Sequence, residues 1–239
     1  MGNMRIIWVF IQYFERMANF RTHLTVAALG GAITAGLGWH AGFWSWPEMA
    51  SITGLTSLGG ILPDIDADQS RAIRLIFTLF AVLAVIASVI ILQPLLSPSY
   101  LVATGGGVYV AVRYVASAVF KRFTIHRGIW HSLLAGLLGS FAITALSYRG
   151  FDQPAVQAWY QGAALLLGVL IHLLLDECYS IDLVGSRLKR SFGTAFKLFD
   201  YKTPATAVMM IVVMASLMPW LPPWQALFTV AHQAKTLWP

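Results

Sequence analysis

Histidine and aspartate side chains occur at spacings that suit metal binding in this chain of 239 residues. His172 and Asp176 are four residues apart, so on a helix both project from one face and can share a metal ion. Asp64 and Asp66 follow Pro63, where a helix must end, and in a turn both can point to one side. The chain therefore carries two pairs of candidate ligands, each with a local geometry suited to coordination.

Three further histidines extend this candidate set. We expect His126 in a loop and His131 in the first turn of the next helix, while His23 begins an apolar segment. Imidazole and carboxylate ligands favour Zn²⁺, with Mn²⁺ or Fe²⁺ as alternatives. Four histidines and three or four aspartates exceed the ligands of one structural zinc, which predicts two or more divalent ions. Such clusters activate water and stabilise phosphoryl displacement.

Three residues that lie close in sequence to the candidate ligands are candidates for catalysis. Each of them, like the ligands themselves, also has a simpler structural interpretation. Arg127 offers a planar guanidinium to a phosphate, or is only one more basic residue near a membrane. Glu177 could act as a general base or support a ligand, and Asp68 is a catalytic candidate that could instead face water. His172 and Asp176 could form a hydrogen-bonded pair at a helix end without any metal.

The composition indicates what must position these residues. Charged residues make up 11% of the chain, hydrophobic residues make up 58%, and the mean hydropathy is +0.70. An average soluble domain carries about a quarter charged residues, so a soluble globule could not cover itself with this few. Disorder requires low hydrophobicity and high charge and is excluded more firmly. The chain is therefore predicted to be an integral membrane protein, and its single cysteine, Cys178, permits no internal disulfide.

Seven hydrophobic stretches predict an all-α, polytopic fold with about seven transmembrane helices. They cover residues 24–44, 48–62, 74–96, 100–120, 131–148, 155–175 and 204–221. The second stretch is short and could be a tilted or re-entrant helix. The four groups of candidate ligands all fall at the same predicted end of these helices.

Basic residues are sorted almost entirely to that end. Thirteen of the sixteen Lys and Arg residues lie there, two lie at the other end, and Arg113 lies inside a span. The positive-inside rule makes the basic end cytoplasmic, together with the N-terminus and the metal site. The formal charge of +6 thus reports orientation in a bacterial or archaeal cytoplasmic membrane, and no nucleic-acid partner is expected.

Two segments outside the spans are predicted to lie on the membrane surface. Residues 1–22 form an interfacial segment, followed by a multi-span membrane domain over 23–222 and a C-terminal tail over 223–239. Residues 177–203 form a basic amphipathic loop that favours anionic lipid, or else a solvated connector. Its apolar positions recur at helical spacing: Leu188, Phe192, Ala195, Phe196 and Phe199.

Four motifs occur in a fixed order along the chain. They are His23; Pro63-Asp64-Ile65-Asp66; His126-Arg127-Gly128-Ile129-Trp130-His131-Ser132; and His172 with Asp176. Together, over roughly residues 20–182, they resemble the YdjM family of polytopic inner-membrane proteins, which are described as predicted metal-dependent hydrolases. The resemblance implies that the seven His and Asp residues of these motifs are metal ligands or their close partners. A distant likeness suggested between the family and zinc-dependent phospholipase C implies phosphoester hydrolysis. Trp130 stands where the family commonly has Thr.

The expected function is metal-dependent hydrolysis of a phosphoester in a phospholipid or another amphiphile. A site at the membrane boundary would meet the headgroup of such a substrate while its tail stays in lipid. The alternatives are a cation-binding transporter or sensor that uses the same residues, and a structural protein stapled by a metal. A transport path would carry polar groups toward the bilayer midplane, where this sequence has few.

Overall fold

The computed structural model describes residues 20–66, 71–123, 129–182, 187–188, 197–199, 201 and 204–236. Nearly all of these residues are helical, as the composition predicts. The helices are α1 (Phe20–His40), α2 (Trp46–Gly59), α3 (Arg71–Leu92), α4 (Pro98–Val110), α5 (Ser117–Phe123), α6 (Leu133–Ala145), α7 (Ala155–Ser180), α8 (Pro204–Leu217) and α9 (Trp224–Thr236). The chain divides into two compact units, Met1–Pro63 with Gly128–Pro239, and Asp64–Arg127.

The first unit is built around α7, which packs against α1, α2, α6 and α9. Glycines let α2 and α7 approach until their backbones touch. A Cβ atom at Gly168 would lie 2.0 Å from the carbonyl oxygen of Thr56, and one at Gly59 would lie 2.1 Å from that of Leu165. Close approach through small residues is how helices gain packing energy where lipid replaces water. The contact fixes the C-terminal end of α2 beside the middle of α7.

An aromatic cluster fills one end of the first unit. The Trp44 and Tyr160 rings meet edge to face with centroids 4.9 Å apart, and Trp159 lies 5.4 Å from Trp224. The Trp44 indole N–H donates a 2.8 Å hydrogen bond to the Ala35 carbonyl, which satisfies its polar atom inside the core. These contacts join the start of α7 to the α1–α2 turn and to α9.

The second unit contains α3, α4 and α5. Six π-helical residues, Ala111–Ala116, connect α4 to α5 without a turn. Arg113 lies in this π-helical segment, and its guanidinium carbon stands 5.2 Å from the centre of the Tyr114 ring. Near one end of the unit, Phe77 on α3 packs against Phe120 on α5 at 5.4 Å.

Four helices among the described residues are long and apolar enough to cross a membrane. They span Ala72–Leu92, Pro98–Phe120, Leu133–Gly150 and Ala155–Tyr179. A fifth span is possible if Pro204–Trp220 and Trp224–Lys235, which meet at a bend of 101°, form one broken crossing. The structure confirms a helical fold with four or five candidate membrane spans, but it does not confirm the predicted count of about seven spans. The predicted second span corresponds to α2, which has only 14 residues.

The predicted surface segments differ in outcome. Residues 1–19 lie outside the described residues, and α1 already begins at Phe20, inside the predicted interfacial segment. Within the loop, α7 continues to Ser180, and Ile181–Asp182 then pairs in antiparallel register with Arg187–Leu188. Leu188 therefore lies in a short strand, which corrects its assignment to a helical apolar face. Phe192, Ala195 and Phe196 lie outside the described residues.

The predicted C-terminal tail is mostly helix α9. Pro222 and Pro223 stop the preceding segment, because proline lacks the N–H that would continue the helix. Val230 then buries against the aromatic end of the unit, at 8% exposure. This segment is ordered by its packing against the bundle. Such tertiary contacts are not visible in the local sequence.

Candidate metal centre

Asp176 lies where three histidines converge in the first unit. Its Oδ1 is 3.1 Å from Nε2 of His23, and its Oδ2 is 3.3 Å from Nε2 of His172 and 3.8 Å from Nε2 of His131. These residues come from α7, α1 and the residues just before α6. Three distant parts of the chain thus bring their imidazoles to one carboxylate.

His172 is held in one orientation by the backbone of α2. The ring is fully buried, and Nδ1 lies 2.7 Å from the carbonyl oxygen of Gly60. A carbonyl only accepts hydrogen bonds, so Nδ1 must carry the proton and donate it. In the neutral ring this leaves the lone pair on Nε2, which faces Asp176. A backbone carbonyl that fixes the tautomer in this way is the usual support for a metal-binding histidine.

Gly60 reaches this position because it has no side chain. A Cβ atom there would lie 2.2 Å from the Cβ of Ala27 on α1, well inside any tolerated contact. The residue directly follows α2, so its carbonyl is one of those that a helix end leaves without an internal partner. Close packing of three helices therefore creates the hydrogen bond that orients His172.

His23 lies in the first turn of α1 and stacks on His172. The two rings are 3.8 Å apart and inclined by only 18°. His23 is 2% exposed, and among the described residues its Nδ1 has no hydrogen-bond partner. Both rings also lie against the Asp176 carboxylate, so His23 and His172 belong to one buried cluster.

His131 and Asp176 form the open side of the cluster. Their side chains are 25% and 31% exposed, whereas those of His23 and His172 are almost completely buried. His131 stands immediately before Ser132, which caps α6 by accepting a hydrogen bond from the Ala135 N–H. The cap fixes where the helix begins and so fixes the backbone next to His131. A ligand would reach the cluster past these two residues.

The atoms facing each other in the cluster fit a divalent metal ion. One ligand atom from each of His131, His172 and Asp176 lies within 4.8 Å of the others. Zinc bonds of about 2.0–2.1 Å in a tetrahedron place neighbouring ligand atoms roughly 3.3 Å apart, close to the observed 3.3 Å between His172 and Asp176. Without a cation or an added proton, a lone pair of His172 would face a carboxylate oxygen. His131, His172 and Asp176 could hold the ion directly, and His23 is the fourth candidate.

The remaining predicted site residues are placed as follows. Asp64 and Asp66 lie on a 3₁₀ turn, Pro63–Asp66, where the second unit begins, and Asp64 is half-buried. Asp68, His126 and Arg127 lie outside the described residues. Glu177 is half-buried on α7, directly after Asp176. Within the first unit, the described residues bring together four of the seven predicted ligands, and the roles of all seven in metal binding stay predictions.

Two contributors to the cluster do not appear among the predicted site residues. One is Gly60, because a backbone carbonyl leaves no mark in residue type, although two adjacent glycines before Pro63 were a signal of close approach. The other is Ser132, whose position before an apolar run is typical of a helix cap. Both act on a ligand histidine without belonging to the ligand set.

The fold and the cluster define an integral membrane protein with a His/Asp centre that could hold a metal ion. The chain belongs to the YdjM family: the family described as YdjM inner membrane protein matches residues 17–188, which include all four residues of the cluster. This confirms the family that the sequence motifs suggested. No curated protein and no solved structure shows significant similarity to the chain.

Proposed function

We propose that this protein is a membrane-embedded, metal-dependent hydrolase that cleaves a phosphoester in a phospholipid or a similar amphiphile. The convergence of His23, His131 and His172 on Asp176 is the observation that carries the proposal. A divalent ion bound there would act as a Lewis acid and activate a water molecule for attack on phosphorus. Zinc suits these ligands best, and Asp64, Asp66 and His126 are the candidates for a second ion.

The charge of the cluster favours an anionic substrate. Asp176 is the carboxylate that contacts the three histidines, and it neutralises one of the two charges of a divalent ion. Histidines bind a metal in their neutral form, so a phosphate group could approach the positive charge that remains on the ion. The exposed edges of His131 and Asp176 give that phosphate its route of approach. Arg127, close to His131 in sequence, is the proposed clamp on a phosphate oxygen.

Proton transfer needs a further group on the open side. Glu177 and Asp68 are the proposed candidates for this role, because a carboxylate beside the ligands can take a proton from the attacking water. Glu177 follows Asp176 on α7 and is half-buried. His172 cannot serve while its Nδ1 proton is donated to Gly60 and its Nε2 binds a cation.

The packing behind the cluster favours a site open at one end over a transport path. Val169 and Leu165 lie between His172 and the middle of α7, Leu173 directly follows His172, and all three are almost completely buried in an apolar core. A Cβ atom at Gly136 on α6 would already touch Val169, at 2.9 Å, so the two helices are closed against each other there. The stretch of α7 between Leu165 and His172 is therefore lined by apolar side chains.

Metal analysis followed by an assay on a panel of phospholipids tests the proposal. We expect the purified protein to bind zinc and to release a phosphorylated headgroup or phosphate, and Asp176→Asn to lose both properties. Glu48→Gln is the matched control, because it changes a carboxylate at the start of α2 that takes part only in a helix cap. Bound zinc without cleavage, combined with cation flux across vesicles, would instead establish a transporter. Bound zinc with neither activity would leave a structural staple.

A further inference from the structure

The backbone of Lys197 and Leu198 hydrogen-bonds to the N-terminal end of α6. The Leu133 N–H donates a 3.1 Å hydrogen bond to the Lys197 carbonyl, and the Leu134 N–H donates a 3.0 Å bond to the Leu198 carbonyl. The first N–H groups of a helix have no partner within the helix, so these two carbonyls satisfy donors that Ser132 leaves open. The contact lies two residues from His131.

The same segment stands where two apolar helices begin. Leu133 starts a span that runs to Gly150, and Pro204 starts the apolar helix α8 a few residues after the segment. Residues at the start of such helices lie at the boundary between lipid and water. The residues Lys197, Leu198, Phe199 and Tyr201, hereafter the strap, are therefore placed at the membrane surface beside the open side of the metal centre.

The strap presents apolar side chains to its surroundings. Leu198 is 61% exposed and Tyr201 is 63% exposed, while Phe199 packs against Tyr201 with ring centroids 4.7 Å apart. The sequence around them is basic, since residues 187–202 contain five Lys and Arg residues and one acidic residue, Asp200. Exposed Leu and Tyr beside basic residues match an anionic lipid surface, which accepts apolar groups and attracts positive charge.

We propose that the strap docks on anionic phospholipid and thereby holds His131 in the geometry that binds metal. Leu198 and Tyr201 would insert at the level of the headgroups, and the carbonyls of Lys197 and Leu198 would then hold the first turn of α6. His131 follows because it precedes that turn by two residues. The occupancy of the metal centre would depend on the charge of the leaflet. This inference rests on the proposed function only in taking His131 as a ligand.

Hydrogen exchange of the zinc-free protein tests docking by itself. The full chain is placed in nanodiscs of phosphatidylcholine, with or without phosphatidylglycerol. We expect the Leu133 and Leu134 amides to exchange several-fold more slowly in the anionic discs. The double variant Leu198→Ser with Tyr201→Ser should abolish the difference, whereas Leu146→Ser, at the other end of the α6 span and 51% exposed, should preserve it. Equal exchange of the wild type in both lipids would overturn docking.

Zinc release to a chelator, measured in the same nanodiscs, tests the coupling. We expect release from the wild type to be several-fold slower in anionic discs, and the lipid effect to vanish in the double variant but not in Leu146→Ser. Lipid-dependent exchange with lipid-independent zinc release would overturn the coupling while leaving the hydrolase proposal intact. A wild type that holds no zinc in either lipid would overturn the coupling and the metal centre, whatever the exchange data show.

Discussion

The two ends of the first unit bury different kinds of polar group. At the aromatic end, the polar atoms belong to neutral groups: Trp44 donates to the Ala35 carbonyl, and the Tyr160 hydroxyl donates to the side-chain oxygen of Gln233. At the other end, the ionisable rings of His23 and His172 are buried around the Asp176 carboxylate. The aromatic end thus buries neutral polar groups, whereas the other end buries ionisable groups that could hold a cation.

The helices α2 and α7 contribute to both ends of the first unit, and their glycine contacts lie between the aromatic cluster and the His/Asp centre. Gly59 and Gly168 bring α2 and α7 together near the middle of α7. The aromatic cluster lies toward the start of α7, and the His/Asp centre lies toward its end. We therefore expect substitutions at one end to change stability and substitutions at the other to change metal affinity.

The largest effect is expected for His172→Ala. The variant removes a ligand that is fully buried and already oriented, so we expect zinc affinity to fall about a thousand-fold, or ~4 kcal/mol. Competition with a fluorescent zinc chelator measures the change. The metal-free variant should keep most of its resistance to unfolding, and a variant that retains wild-type zinc affinity would remove His172 from the centre.

Trp44→Ala should lower the stability of the protein and leave its zinc affinity unchanged. The ring is 8% exposed, fills the space beside Gly38 and contacts Tyr160, so its loss leaves a cavity in the aromatic end. We expect about 3 kcal/mol less stability toward unfolding in mixed micelles, with zinc affinity unchanged. A parallel loss of zinc affinity would show that the two ends are coupled and would break the comparison.

Gly60→Ala tests whether the backbone of α2 orients His172. The new methyl group would collide with Ala27 and displace the Gly60 carbonyl, so we expect zinc affinity to fall about 10–100-fold, the usual range for a lost supporting contact. The second substitution Ala27→Gly should restore affinity by making room. Gly54→Ala, where no atom lies within 4 Å of the added Cβ, should have no effect. Failure of the double variant to recover would point to a different cause.

The smallest effect is expected for Tyr160→Phe. The change removes the hydroxyl that donates to Gln233 and keeps the ring packing of the aromatic end. We expect a loss of about 1 kcal/mol in stability and no change in zinc affinity. Unfolding curves of Tyr160→Phe and Trp44→Ala, recorded under the same conditions, would separate the contribution of this hydrogen bond to stability from that of ring packing.

The sequence predicted the helical class of fold, and four of its candidate ligands, on α1, before α6 and on α7, lie together in the structure. His172 and Asp176 were recognisable because helical spacing alone places them on one face, and the scarcity of charge alone required a membrane. The order of the four motifs suggested the family, which the match over residues 17–188 confirms. The contact between His23 and Asp176 appears only in the structure.

Other features depended on contacts that spacing cannot encode. The short α2 reads as a possible span in sequence, yet its 14 residues are ordered by the glycine contact with α7. The Gly60 carbonyl and the closure of α6 by Lys197 and Leu198 involve backbone atoms, which residue types do not reveal. The predicted tail becomes α9 through packing of Val230 and its neighbours, a tertiary effect that overrides a weak local signal.

Zinc K-edge X-ray absorption of the loaded protein tests the metal centre most directly. We predict nitrogen and oxygen ligands at about 2.0–2.1 Å, with the outer-shell scattering of more than one imidazole. His172→Ala should lose imidazole scattering or the metal itself, while Trp44→Ala should give the wild-type spectrum. A sulfur ligand at about 2.3 Å, which would indicate Cys178, or a spectrum unchanged in His172→Ala, would contradict the assignment of the metal to the His/Asp centre.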